Sequence, residues 1–118
     1  RTTVGGRNFE SFGEDPYLTS ILGAAYVTGL QSQKVLASTK HFILNDQEFE
    51  RMQVSVVADE RTVREIYLPP FIAAVNAGTW TVMASYNKVD GIWASENSHY
   101  LNDILKQELG LLGFVVSD

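Results

Sequence analysis

An α/β fold built on a parallel sheet is predicted for this chain from three apolar runs and the segments between them. The runs are Val35 to Phe42, Thr81 to Asn87 and Gly113 to Asp118, and each turns polar at its last positions. Near-continuous apolar stretches of this length are what a strand covered on both faces requires. Stretches with helical periodicity separate them, and alternation of that kind gathers reactive groups at one end of a parallel sheet. Lys40, His41, Tyr86 and Asp118 stand at those ends.

Residues 1–15 are rich in glycine and polar side chains and read as loop. Asp15-Pro16 then combines an N-cap acceptor with a proline at the first helical position. Leu18, Ile21, Leu22, Ala25 and Gly29 follow the stripe of an amphipathic helix, which predicts a helix over about 16–31. The Val35 strand comes next. Residues 43–53 are polar without a period, a long loop of the kind that carries binding residues. Val54 to Val57 reads as a short extended piece.

Asp59 is placed to cap a second helix, with Val63, Ile66, Tyr67, Phe71, Ala74 and Val75 on one face. Pro69-Pro70 removes two backbone donors inside it and predicts a kink, and Gly78 ends it. After the Thr81 strand, Lys88 to Glu96 reads as a loop with a turn at Asp90-Gly91. Asn97 or Ser95 can cap a third helix that turns Leu101, Ile104, Leu105 and Leu109 inward. Gly110 and Gly113 flank its exit into the last strand. The result is about three βα units of a partial TIM-like barrel, too few to close a (β/α)8 ring.

With 118 residues the chain can hold one domain with a real core, and 45% hydrophobic and 19% charged residues are ordinary for a globular protein. A net charge of -5 with no basic cluster argues against nucleic acid or an anionic membrane surface as partner. No apolar run approaches the length of a membrane-spanning helix. The absence of cysteine excludes disulfides and thiolate chemistry but does not fix a compartment. The chain opens at Arg1 without a leader and stops just after a buried-type strand, so an interior piece of a longer protein is expected and localisation stays unread.

Each candidate residue also has a plain role. Lys40-His41 could be a solvated loop entry, Tyr86 a packed aromatic with a wet hydroxyl, and Asp118 the N-cap of a following helix. His99 belongs on a helix surface. No second histidine stands at ligand spacing from His41, so no metal site is expected. Gly5-Gly6 lacks the strand and lysine of a phosphate loop, and no serine sits in an elbow motif. A strand-end lysine can form a Schiff base, so an aldolase-like barrel is open on these residues alone. A non-catalytic sugar-binding module is a third class.

Longer motifs narrow the choice. Gly6-Arg7-Asn8-Phe9-Glu10-Ser11-Phe12-Gly13-Glu14-Asp15-Pro16, Lys40-His41-Phe42 and Asn45-Asp46-Gln47-Glu48 with Arg51 resemble glycoside hydrolase family 3. So do Arg64-Glu65-Ile66-Tyr67-Leu68-Pro69-Pro70-Phe71, Ser85-Tyr86-Asn87-Lys88-Val89 and Phe114-Val115-Val116-Ser117-Asp118. The likeness runs over essentially all residues in the family's order, and within the family it is greatest to the β-glucosidases. Ile43-Leu44-Asn45-Asp46 stands where the N-acetylglucosaminidase branch has a glycine- and histidine-rich continuation. Asp90, often asparagine in relatives, and Ser98, often proline, are small departures.

The resemblance implies that residues 1–118 are part of the catalytic (β/α)8 barrel domain, with upstream strands, the rest of the barrel and a later domain outside this sequence. It implies a retaining β-glycosidase acting on terminal non-reducing β-D-glucosyl residues, with β-glucosides and cello-oligosaccharides as partners. A β-xylosidase or another exo-glycosidase of the family is the alternative. No cofactor is implied. Asp118 falls at the nucleophile. Arg7, Lys40, His41 and Arg51 fall where hydroxyls of the first-subsite sugar are bound, Met83 lines that subsite, and Tyr86 stands beside the nucleophile, where it could orient Asp118. The acid/base residue lies beyond the nucleophile in the family, so Glu14, Glu48 and Glu50 are poor substitutes and the fragment alone is expected to be inactive.

Overall fold

The computed structural model describes residues 2–118. Asp15 accepts a hydrogen bond from Tyr17 N at 2.9 Å, and Pro16 opens helix α1, Pro16–Ser32. The helix forms where the cap and proline predicted it, but its stripe does not face the core. Leu18, Ile21, Leu22 and Tyr26 are exposed, and Val27, with Leu30 beside it, meets Ala37 and Ala74 instead. Periodicity marks a helix; which side finds a partner depends on what packs there.

Gln31 fixes the end of α1. Its Nε2 donates to Gly78 O at 2.7 Å, and its Oε1 accepts from Ala37 N and Trp80 N, each at 3.2 Å. One amide thereby satisfies the backbone just before two strands. Strand β1 is Ser38–Phe42, three residues later than the apolar run begins, and Val35 and Leu36 are exposed. The chain then does not leave the core as the polar reading of 43–53 implied. Ile43 and Leu44 are buried, and Ile43 O accepts from Ser85 Oγ at 2.8 Å and from Asn87 Nδ2 at 3.3 Å. The loop proper begins only after them.

The short extended piece is β2, Ser55–Val56. Asp59 accepts from Thr62 N and caps α2, Glu60–Thr62, which runs through a wide π turn, Val63–Tyr67, into α3, Leu68–Asn76. The two prolines sit in the first turn of α3, so the disturbance they cause appears as the π turn before them. Gly78, at φ +86, ends the segment. Strand β3 is Thr81–Ala84.

The region expected to be loop after β3 contains a small hairpin, β4 Lys88–Val89 and β5 Ile92–Trp93. Asp90 and Gly91 have φ of +50 and +85, the left-handed pair that a two-residue hairpin turn needs. Two-residue strands have no alternation to read. β2 pairs parallel with β4, making a second sheet of order β2-β4-β5. The third helix, His99–Glu108, is of π type and buries Tyr100, Ile104 and Leu105; Asn97 Oδ1 caps it by accepting from Tyr100 N at 3.4 Å.

The last strand, β6 Phe114–Val116, completes the main sheet, which is parallel throughout with order β1-β3-β6. This is the α/β arrangement read from the sequence. β6 reaches β3 through Gly113, where a Cβ would fall 1.6 Å from Trp80 O. Phe42 meets Phe71 edge to face at 4.9 Å, joining β1 to α3. Among the described residues no helix is long and apolar enough to cross a membrane.

Candidate active site

Because the three strands of the main sheet are parallel, their C-terminal ends open on one side. Tyr86 lies two residues beyond β3 and Asp118 two beyond β6. Lys40 and His41 lie in the last turns of β1, where the pairing slips: Lys40 is opposite Met83, Phe42 is opposite Ala84, and His41 has no counterpart. In a regular strand neighbours point to opposite faces. The slip loosens that rule for Lys40 and His41, and an irregularity of this kind re-aims side chains beside a site. Met83 itself is central, paired with Lys40 on one side and Val116 on the other.

His41 is 5% exposed, and its Nε2 lies 3.3 Å from Asp118 Oδ2. The contact is close but poorly aligned, so Nε2 is a buried atom without a hydrogen-bond partner among the described residues. Burial lowers the His41 pKa, the charge of Lys40 lowers it further, and Asp118 opposes both. A neutral imidazole beside a carboxylate is therefore the resting arrangement, and the pair is a polar contact more than an ion pair.

Tyr86 is held on several sides. Its hydroxyl accepts from Arg7 Nη1 at 2.7 Å, the guanidinium carbon of Arg51 lies 4.9 Å from its ring centroid, and the His41 ring is 6.2 Å away. The partner of the hydroxyl is thus Arg7, not Asp118. Arg51 Nη1 also meets Glu48 Oε2 at 2.6 Å. Arg7 Nε lies 2.6 Å from Glu10 Oε1, and Lys40 Nζ is 3.1 Å from Glu10 Oε2. Burial works against the charge on Arg7, but Glu10, Tyr86 and Glu48 outweigh it and the pKa is raised. Burial also works against ionisation of Glu10, and here Lys40, then Arg7, prevail and hold it below the usual carboxylate range.

The residues singled out from the sequence thus come together: Asp118, His41, Tyr86, Arg7 and Arg51 form a chain of contacts, Lys40 joins it through Glu10, and Met83 is in register between the strands. His99 is on the surface, paired with Asp103 at 3.4 Å. Sequence reasoning gave no role to Glu10, nor to Glu48 as the partner of Arg51. Both stand three residues from their arginine, Arg7 to Glu10 and Glu48 to Arg51, a spacing that brings side chains together on a helical turn. That was the available signal.

Two hollows border this cluster. The larger, about 440 Å³, lies between α1, β1 and α3, with an apolar floor that includes Val27, Ala37 and Ala74. Size alone would favour it, yet Arg7, Arg51, Tyr86 and Asp118 do not line it. The smaller is a polar cleft bounded by Arg7, Glu10, His41, Asp46 and Glu48. At about 10 Å³ it has room for no more than a water molecule, so it is a polar crevice within the cluster and not by itself a ligand pocket. Among the described residues no group of three or more His, Cys, Asp or Glu could hold a metal ion.

Comparison with known proteins bears on what such a cluster is for. Residues 1–118 match the family described as the glycosyl hydrolase family 3 N terminal domain. A β-glucosidase of Rhizobium radiobacter is 51% identical over all of this chain, which covers 14% of that protein. The thermostable β-glucosidase B of Acetivibrio thermocellus is 52% identical, again over the whole chain, and 16% of that protein is covered. Among solved structures, β-glucosidase 3B from Thermotoga neapolitana in complex with glucose superposes with a TM-score of 0.97 at 45% identity, covering 100% of this chain and 17% of that one. The chain therefore spans only a small part of the length of the relatives it matches.

Proposed function

The chain belongs to glycosyl hydrolase family 3, and from that premise we propose that it forms part of the catalytic barrel of a retaining β-glucosidase. In this reading the three parallel strands and their helices are about three βα units of a (β/α)8 barrel. The remaining units and a further domain belong to the full-length protein. The substrate is a terminal, non-reducing β-D-glucosyl residue of a β-glucoside or cello-oligosaccharide. The names of the relatives, and the glucose bound to one of them, support that sugar over a xyloside.

Asp118 is the nucleophile of a double displacement. Its carboxylate attacks the anomeric carbon as the aglycone leaves, giving a glycosyl ester that water then cleaves. A second carboxylate, roughly 5 to 5.5 Å away in retaining enzymes, protonates the leaving oxygen and later activates the water. None of the glutamates here is assigned to that step; it falls to another part of the full-length protein. The isolated chain is accordingly inactive.

Lys40, His41, Arg7 and Arg51 bind hydroxyls of the sugar, and Met83 lines the subsite. Fixed donors of this sort stabilise an oxocarbenium-like transition state as the ring flattens, and a donor left without its hydroxyl is costly. Tyr86, gripped by Arg7 and faced by Arg51, keeps these two arginines in place next to His41. The observation that carries the reading is the 3.3 Å approach of Asp118 to a buried His41 whose Nε2 lacks an aligned partner. That nitrogen and the carboxylate together offer a neutral polar group and an anion to one sugar.

In the full-length protein, Asp118→Ala is expected to abolish turnover of aryl β-glucosides while leaving sugar binding measurable. A 2-fluoroglucoside is expected to leave a glycosyl ester on Asp118, detectable by peptide mass mapping. Retained turnover, or borohydride trapping of a carbonyl substrate on Lys40, would refute the assignment.

A further inference from the structure

One carboxylate that the double displacement does not need sits at the centre of the cation cluster. Glu10 Oε1 lies 2.6 Å from Arg7 Nε, and its Oε2 lies 3.1 Å from Lys40 Nζ. The residue ends the short turn Asn8–Glu10, whereas Lys40 is on β1, so a single side chain joins the N-terminal loop to the sheet. It borders both hollows beside the site.

The donor inventory shows what this arrangement decides. Arg7 offers five N–H groups in a rigid fork. Nε is taken by Glu10 and one hydrogen of Nη1 by Tyr86, which leaves the rest of the fork a fixed direction. Lys40 has three donors on a flexible stem, and Glu10 is its ion-pair partner among the described residues. Without that anchor the Lys40 ammonium and the Arg7 guanidinium, two like charges, would repel one another across the site.

We propose that Glu10 is a positioning residue for glycoside hydrolysis, gripping Arg7 and Lys40 together so that their remaining donors meet the sugar hydroxyls in a set direction. The role rests on the reading above, in which Arg7 and Lys40 touch the sugar. Glu10 itself touches no reacting atom. It is also ill suited to be the missing acid, because both oxygens face cations that keep it ionised.

The test uses the full-length protein with an aryl β-glucoside as substrate and compares Glu10→Gln, Glu10→Asp, Lys40→Ala and the Glu10→Gln/Lys40→Ala double variant. Glu10→Gln keeps the shape and removes the charge. Its kcat/KM is expected to fall about ten- to a hundredfold, the scale of a small misplacement of binding groups, with the thermal midpoint unchanged. In the Lys40→Ala background the same change is expected to cost severalfold less than in wild type, because one of the two donors that Glu10 holds is gone and only Arg7 remains to be misplaced. Glu10→Asp keeps the charge but shortens the reach, and an intermediate loss is expected.

Activity of Glu10→Gln within about twofold of wild type would overturn the proposal. So would equal losses with and without Lys40, or a drop in thermal midpoint that accounts for the lost activity. If Glu10→Gln does not fold, Glu10→Asp carries the same comparison, and failure of both to fold makes Glu10 a structural brace instead. A wild-type protein inactive on β-glucosides, or indifferent to Asp118→Ala, overturns the functional reading itself and the Glu10 role with it.

Discussion

His41 combines the features that decide the chemistry of the site: burial, a cation before it in sequence, and a carboxylate at 3.3 Å. Its lowered pKa has a consequence for stability whose sign is fixed. The unfolded imidazole takes a proton near pH 6.5, while the folded one resists it. The contribution is therefore complete above 6.5 and is lost as the pH falls below that value toward the lower folded pKa. In thermal melts of the full-length protein across this range, wild type should lose midpoint on acidification faster than His41→Asn. Parallel curves would show that His41 carries no such linkage. Kinetically, Lys40→Ala and His41→Ala should each cost roughly 2 to 4 kcal/mol of transition-state stabilisation, read from kcat/KM. A loss below about 0.5 kcal/mol would mean that the residue does not touch the reacting sugar. The residues at the strand ends were legible because polar groups that close an apolar run stand out. Glu10 was not, because its meaning depends on Lys40, thirty residues away in sequence and adjacent only in the fold.

Elements with strong local signals formed where the residues predicted. Asp15-Pro16 started α1, Asp59 capped α2, and Thr81–Ala84 and Phe114–Val116 became strands. What local signals could not supply was the neighbour. The exposed stripe of α1 and the buried Ile43 and Leu44 are both decided by tertiary packing, and the hairpin around Asp90-Gly91 is too short to show a period. Gly113 is where an element and the site meet most tightly. Its hydrogen-only side lets β6 pass against Trp80 O, and β6 carries Asp118 five residues on. Gly113→Ala should therefore destabilise the full-length protein by more than about 2 kcal/mol in chemical denaturation, as backbone clashes in cores do. It should also lower kcat more than KM. A variant as stable and active as wild type would show that β6 can shift away from β3 without consequence.

At the scale of the molecule, α/β organisation was readable from the alternation of apolar runs and helical stretches, whereas the sheet's order and the second, smaller sheet were not. The outer face of α1 presents Leu18, Ile21, Leu22 and Tyr26 to solvent. Contiguous apolar surface of this kind promotes association. Prepared by itself, the 118-residue chain should bind an apolar dye such as ANS and elute above monomer size, and the full-length protein should do neither. A monomeric, dye-silent chain would mean that this surface needs no cover. The far side of the sheet tells a different story. There the Gln31 amide clasps the backbone ahead of both β1 and β3, so the frame is buttoned at its base, away from the strand ends that carry the candidate site. An engineer could exchange the exposed Gln47, Phe49, Met52 and Gln53 to retune sugar preference while keeping Glu48 and Arg51, expecting the scaffold beneath to register little of the change.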